Sequence, residues 1–301
     1  MPKIPTMEEM LTAGVHFGHQ AAHWHPHMEP FIYTTRNGVH IIDLKKTQTK
    51  LEAALAFITQ TVANGGDILF VGSKVQAQPL VEAAAKSVTM PYVKGRWIGG
   101  TMTNFHAIKR SIDRYVTLLR QRDGGEWEKY TKKERVELQK DVDRLHEMVS
   151  GLVTMRQMPK AMFVIDVRTE QTAVKEANVM HVPVVALCDT NVNPKNIAHI
   201  IPGNDDATRG IELMLSCVVD AVKEGLKHRK VVPSTPAAAA NKPPMRRPQF
   251  AAPAAKSAAP KAAAPAAKPA AKAEAKSETK AEAKPAKKPA AKRTTKKAKT
   301  E

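Results

Sequence analysis

Three short stretches of uninterrupted apolar residues most constrain what this chain can fold into. They are Ile68-Leu69-Phe70-Val71 after Asp67, Ala161-Met162-Phe163-Val164-Ile165 before Asp166, and Val182-Pro183-Val184-Val185-Ala186-Leu187-Cys188. A strand with one face in water alternates apolar and polar residues, whereas a strand covered on both faces need not. Helical patterns lie between and around these runs. They cover residues 47–63, stopped by Asn64-Gly65-Gly66, then 75–86, with Pro79 in the first turns, and 171–178. Residues 197–201 form a weaker fourth strand and 207–223 a long closing helix. Strands that alternate with helices require crossovers, and crossovers give a mainly parallel sheet between helical layers. The body is therefore expected to be α/β. Ahead of it, residues 31–43 read as two short strands around Asn37-Gly38, a hairpin signal because both turn residues accept positive φ.

A different period governs the stretch between the two blocks. Phe105, Ile108, Ile112, Tyr115 and Leu119 are spaced 3, 4, 3, 4, and Leu138, Val142, Leu145, Val149 and Leu152 are spaced 4, 3, 4, 3. Such spacing on both sides of Asp123-Gly124-Gly125 predicts an antiparallel coiled-coil hairpin, assigned to residues 104–157. The α/β body is assigned to 1–103 and 158–228. Lys109, Arg110, Arg114, Arg120, Lys132, Lys133 and Arg135 crowd the hairpin outside its seam. They form either a solvated face or an arm that lies on an anionic partner.

Charge divides the chain at residue 229. Residues 1–228 hold 28 Lys+Arg against 25 Asp+Glu, and residues 229–301 hold 19 against 4. Thirteen of the 14 aromatics lie before the division, so the basic end has no means of building a core. Eleven prolines after residue 230 break up an Ala/Lys composition that would otherwise favour helix. Residues 229–301 are expected to be disordered and to add non-specific affinity for polyanions. The longest apolar run is about seven residues, far short of the roughly 20 that span a bilayer. The first residues lack a signal-peptide core. Cys188 and Cys217 are too few for a disulfide scaffold or a Cys-x-x-Cys zinc module. A soluble cytoplasmic protein with two buried thiols is expected.

Enzyme motifs are weak. Gly72-Ser73-Lys74 sits between a strand and a helix, but it lacks the Gly-x-x-x-x-Gly-Lys-Ser/Thr length that encircles phosphates. Neither Gly-x-Gly-x-x-Gly nor Gly-x-Ser-x-Gly occurs. Asp189, after a buried strand, and Asp205-Asp206, after the next βα unit, stand at strand ends where open α/β sheets bind ligands, although capping is an equally simple role. Five of the 11 histidines, His16, His19, His23, His25 and His27, fall within twelve residues. Their irregular spacing and Pro26 argue against a metal cage made by that segment alone, and favour one of them joining distant carboxylates.

Gly14-Val15-His16-Phe17-Gly18-His19, Val39-His40-Ile41-Ile42-Asp43-Leu44-Lys45-Lys46-Thr47 and Phe70-Val71-Gly72-Ser73-Lys74 occur in order. Arg96-Trp97-Ile98-Gly99-Gly100-Thr101-Met102-Thr103-Asn104 and Thr131-Lys132-Lys133-Glu134 follow. Phe163-Val164-Ile165-Asp166, Glu176-Ala177-Asn178, Asp189-Thr190-Asn191 and Ile201-Pro202-Gly203-Asn204-Asp205-Asp206 complete the series. Together these segments resemble the bacterial small-subunit ribosomal protein S-two family across residues 7–228. The resemblance implies a flavodoxin-like parallel sheet flanked by helices with a protruding coiled-coil hairpin. It also implies a structural, non-enzymatic component between head and body of the small subunit, which binds small-subunit ribosomal RNA and helps recruit ribosomal protein S-one. The chain departs from the family at Trp24-His25-Pro26-His27-Met28, where the usual Asn-Pro-Lys becomes His-Pro-His and a fixed cation becomes a titratable imidazole. The Ala/Lys/Pro tail also has no counterpart in the family core.

On this reading the RNA contacts are Lys45, Lys46, Lys74, Arg96, Lys109, Arg110, Arg114, Lys132, Lys133 and Arg135. Local clusters, not total charge, set affinity for phosphate. No membrane, small-molecule substrate or required cofactor is expected. A divalent metal, Zn²⁺ by donor type, is expected at Asp189, Asp205 and Asp206, with the resemblance suggesting His19 as the nitrogen donor. Mg²⁺, or hydrogen bonding among these groups, would use the same residues. Two further readings are a DNA-condensing protein acting through its tail and an α/β enzyme using the crevice near Asp189 and Asp205.

Overall fold

The computed structural model describes residues 3–229. The expected disordered segment, Arg229 apart, lies outside the described residues. In chain order the regular elements are α1 (Met7–Thr12), β1 (Phe17–Gln20), β2 (Ile32–Arg36), β3 (Val39–Ile42), α2 (Leu44–Ala63), β4 (Ile68–Val71), α3 (Gln78–Ser87) and β5 (Tyr92–Val93). They continue with α4 (Phe105–Asp123), α5 (Lys132–Val149), β6 (Ala161–Ile165), α6 (Gln171–Val179), β7 (Val184–Cys188), β8 (His199–Pro202) and α7 (Thr208–Lys227). No helix among them is long and apolar enough to cross a membrane.

Five strands form one parallel sheet in the order β5-β4-β6-β7-β8. Every residue of β4, β6 and β7 is buried, which explains their uninterrupted apolar runs. Alternate residues serve opposite faces. Ile68, Phe70, Phe163, Ile165, Val185 and Leu187 pack with α2, α3 and α7. Leu69, Val71, Met162, Val164, Val184 and Ala186 pack with α4, α5 and α6. Removing that area from water at about 25 cal/mol per Å² of apolar surface is the main driving force for the layered body. Cys188 and Cys217 are free and buried, and burial pushes both thiols up.

A second, three-stranded antiparallel sheet has the order β1-β3-β2. Arg36 pairs with Val39 across Asn37 (φ 52°) and Gly38 (φ 76°), the two positive φ values that the hairpin signal requires. Several boundaries differ from expectation. α2 starts at Leu44, not residue 47, because the Asp43 side chain accepts from Lys45 N at 3.0 Å and caps it. α3 starts at Gln78, not residue 75, because the Lys74 carbonyl first closes a turn with Ala77 N and Gln78 N. β8 ends on Pro202, tolerated because β8 is an edge strand, and α7 runs to Lys227.

α4 and α5 pack along each other, joined through Gly124–Thr131, with Gly125 at φ 72°. Ile108, Ile112, Tyr115, Val142, Val149 and Leu152 are buried, while Phe105, Leu119, Leu138 and Leu145 are partly buried against the same cluster. The base of this pair is therefore continuous with one covering layer of the sheet. At that base Gly151 leaves no room for a side chain: a Cβ there would run into the Tyr92 carbonyl oxygen and lie 2.8 Å from its ring Cδ2. Gly151→Ala is expected to cost about 1–3 kcal/mol, read as a lower denaturant midpoint. Gly99→Ala, with nothing within 4 Å, should leave the midpoint unchanged.

Candidate nucleic-acid interface and metal centre

The parallel topology brings the carboxyl ends of β4, β6, β7 and β8 to one edge of the sheet, and each strand delivers a charged residue just beyond it. Lys74 follows β4, Asp166 follows β6, Asp189 follows β7, and Asp205 and Asp206 follow β8. The Lys74 ammonium lies 2.8 Å from Asp205 Oδ1, 2.6 Å from Asp206 Oδ1 and 3.8 Å from Asp166 Oδ2. The N-terminal segment closes over the same edge. His19 N donates to Thr190 Oγ1 at 2.9 Å and His25 N to the Thr190 carbonyl at 2.8 Å. This approach needs Gly18, where a Cβ would lie 2.7 Å from Thr190 Cγ2. The His19 imidazole then sits with Nδ1 2.9 Å from Asp189 Oδ2 and Nε2 3.6 Å from Asp206 Oδ2.

Four carboxylates thus face one lysine and one imidazole. Burial pushes Asp205 up to about 6, against the pull of Lys74 and with the charges of Asp166 and Asp189 adding to the rise. Burial pulls Lys74 down, but its contacts with Asp205 and Asp206 outweigh this and hold it above the ordinary lysine range. The close approach of the Asp189 carboxylate raises His19, and burial only partly opposes it. His19, Asp189, Asp205 and Asp206 each offer a ligand atom, and these atoms lie within 4.8 Å of one another. Asp205 Oδ2 is buried with no hydrogen-bond donor, and Asp189 Oδ2 has His19 nearby but no well-aligned bond. Two buried, under-satisfied carboxylate oxygens beside an imidazole fit a divalent cation chemically. Of the five clustered histidines only His19 joins this group. His25 and His27 stack on each other at 5.0 Å, and burial lowers His16.

The residues expected to contact RNA separate into two kinds. Lys45, Arg96, Lys109, Lys132 and Lys133 are exposed, and no ion pair engages their side chains among the described residues. The others are partly engaged. Lys46 donates to the Pro30 carbonyl, Arg110 to His106 Nδ1 at 3.0 Å, Arg114 to Asp141 at 2.6 Å and Arg135 to the Tyr130 carbonyl at 3.0 Å. Lys74, also expected to contact RNA, is 18% exposed and lies among the carboxylates of the acidic edge, its long side chain spanning from β4 to the loop after β8.

The family profile described as Ribosomal protein S2 matches residues 10–225. The chain belongs to the ribosomal protein S2 family. It is 50% identical over 223 residues to the small ribosomal subunit protein uS2 of Bdellovibrio bacteriovorus, covering 74% of this chain and 71% of that protein. It is 46% identical over 230 residues to the uS2 of Chloroflexus aggregans, covering 76% and 97%. Over 224 residues it is 48% identical to the uS2 of Sorangium cellulosum, covering 74% and 81%. Membership in the S2 family makes the chain a structural ribosomal protein, not an enzyme.

One residue that organises this surface was missed from the sequence. Glu176 accepts from Trp97 Nε1 at 3.1 Å, Gly100 N at 2.8 Å, Met102 N at 3.0 Å, and Thr103 N and Oγ1 at 3.3 Å. It thereby folds the Arg96–Asn104 stretch into the lead-in to α4, whose own N-cap Asn104 makes no side-chain cap bond. The signal was available: a carboxylate on the same helix face as buried Ala173 and Ala177 needs buried donors. Burial pushes Glu176 up, but the four backbone and indole donors outweigh it and the group ends below its ordinary value. A lowered folded value stabilises above the unfolded one and loses that contribution as pH falls through the folded one. Glu176→Gln should therefore cost about 1–3 kcal/mol at pH 7. The gap to the parent should narrow below pH 4.5, as followed by urea unfolding across pH 3–7.

Proposed function

We propose that the chain binds small-subunit ribosomal RNA between head and body and helps recruit ribosomal protein S-one, in the cytoplasm. Its RNA-binding unit is residues 104–157, acting as a coiled-coil arm on an α/β body of residues 1–103 and 158–228. The observation that carries the RNA reading is the set of exposed cations Lys109, Lys132 and Lys133, which have no ion-pair partner among the described residues, on helices whose Ile108, Ile112, Tyr115, Val142 and Val149 are turned inward. Cations held on helices lose less conformational freedom on docking than cations on a loose arm. The deep, narrow major groove of A-form RNA keeps such contacts on phosphates and shape. Lys45, Lys46, Arg96, Arg110, Arg114 and Arg135 supplement them, and Lys74 does not.

Reversing charge at Lys109, Lys132 and Lys133 should weaken association with the small-subunit RNA without lowering the melting temperature. For every phosphate that no longer meets a cation, the log–log salt dependence should flatten by roughly 0.7–0.9. An unchanged slope would reduce these residues to a solvated face.

The carboxyl-edge group is proposed as a Zn²⁺ site. His19, Asp189, Asp205 and Asp206 would hold the ion, which would supply a cross-link between the N-terminal segment and the sheet edge. In that role it would brace the surface presented to S-one. Purified full-length protein dialysed against Zn²⁺ should retain one equivalent, measured by elemental analysis. His19→Ala and Asp205→Ala should each lose it. Sub-stoichiometric metal in the parent, or full retention in both variants, would reject the site.

A further inference from the structure

A cleft of about 310 Å³ opens where the segments after β6 and β7 meet the first turns of α6. It belongs neither to the acidic edge group nor to the α4–α5 pair. Three buried valines, Val167, Val174 and Val192, contribute an apolar wall. Arg168 and Lys175 supply positive charge, and Gln171, Asn191 and Asn196 supply carboxamides. No Asp or Glu lines the cleft. Among the described residues, none of these five polar side chains makes a hydrogen bond or an ion pair. Asn191 Oδ1 is buried without a donor. Asn193 adds a further amide: its Oδ1 accepts from Lys195 N at 3.2 Å, which leaves its NH₂ group available.

That combination has a specific chemical complement. Carboxamides offer a donor and an acceptor side by side, the pattern that pairs with the edge of a nucleobase. An apolar wall accepts the flat face of a base, and an arginine and a lysine together take a phosphate. The volume is at the lower end of the range for small-ligand sites, which suits one nucleotide and excludes a duplex. The cleft also lies at the carboxyl ends of adjacent strands of an open parallel sheet, where such sheets hold ligands. We infer that this cleft binds a single unstacked nucleotide of RNA, through its base edge and its phosphate together. The inference rests on the RNA reading above and extends it. The hairpin contacts backbone, whereas this cleft reads a base.

The test uses full-length ¹⁵N-labelled protein titrated with adenosine and uridine 5′-monophosphates, the matching nucleosides and inorganic phosphate. The side-chain amide resonances of Gln171, Asn191, Asn193 and Asn196 report on the cleft alone, so binding to the basic tail does not interfere. At least one mononucleotide should shift all four, at least tenfold more tightly than its nucleoside or phosphate. The Arg168→Ala/Lys175→Ala pair should weaken it at least tenfold while the remaining spectrum stays folded. Unmoved carboxamides, equal binding of inorganic phosphate, or unchanged affinity in the double variant would each overturn the inference. Association of the parent with small-subunit RNA is measured in parallel. If it holds while the cleft ignores mononucleotides, only this inference falls. If mononucleotides bind the cleft and the parent ignores RNA, the nucleotide site stands and the ribosomal-RNA reading falls.

Discussion

A parallel sheet whose strands are apolar at every position cannot leave either face in water, and that requirement organises the molecule. One face of β4, β6 and β7 is covered by α2, α3 and α7. The other is covered by α6 together with the base of α4 and α5. The helical pair is therefore not an independent appendage. Its inner residues finish a layer that the sheet demands, and the same helices that shield Leu69 and Val164 carry Lys109, Lys132 and Lys133 outward. The Glu176 carboxylate adds a directional constraint, because five donors from Trp97 to Thr103 must converge on it before α4 begins. Packing sets where the pair attaches, and hydrogen bonding sets how the chain enters it.

The same topology concentrates chemistry at one edge. Because the strands run in parallel, the segments that leave them all emerge on one side, and Lys74, Asp166, Asp189 and Asp205 meet there although more than 130 residues separate the first from the last. Buried carboxylates repel one another strongly unless a cation intervenes. Lys74 answers part of that repulsion, and His19 answers part only while protonated. The remaining imbalance is the physical reason a divalent cation suits the edge. At the edge the N-terminal segment is pinned through His19 and Thr190, while buried Met10, Val15 and Met28 anchor it to the two apolar layers.

How much of this could be read from the sequence depended on whether the signal was local. β4, β6 and β7 were evident because burial on both faces writes itself into consecutive residues. The Asn37-Gly38 hairpin was evident because two positive φ values restrict residue choice. β5 was invisible: two residues, Tyr92 and Val93, become a strand only by pairing with Phe70 and Val71. α1 was overlooked although Thr6 and Glu9 form a reciprocal capping box, a pattern present in the sequence. The start of α2 was placed late because Lys45-Lys46 breaks the apolar period just after the true cap, Asp43. At the acidic edge, strand ends pointed to Asp189, Asp205 and Asp206, but nothing local distinguished His19 from four neighbouring histidines or turned Lys74 inward. The resemblance supplied the first, and only the assembled edge supplied the second.

Charge separation then bears on the proposed docking of a polyanion by a body with nearly balanced charge. Carboxylates gathered on the strand-end edge would repel RNA if they were spread over the whole surface. Asp166, Asp189 and Asp205 are buried and Lys74 offsets part of their charge, while salt screens what remains over roughly 8–10 Å at physiological ionic strength. Basic groups on α4 and α5 meet fewer carboxylates, and Lys109, Lys132 and Lys133 meet none as ion partners among the described residues. Counting +3 for residues 1–228 therefore understates the potential that a phosphate meets at the helical pair. What matters is that Lys74 offsets part of the acidic charge at one edge, while Lys109, Lys132 and Lys133 have no ion-pair partner among the described residues of the packed helices.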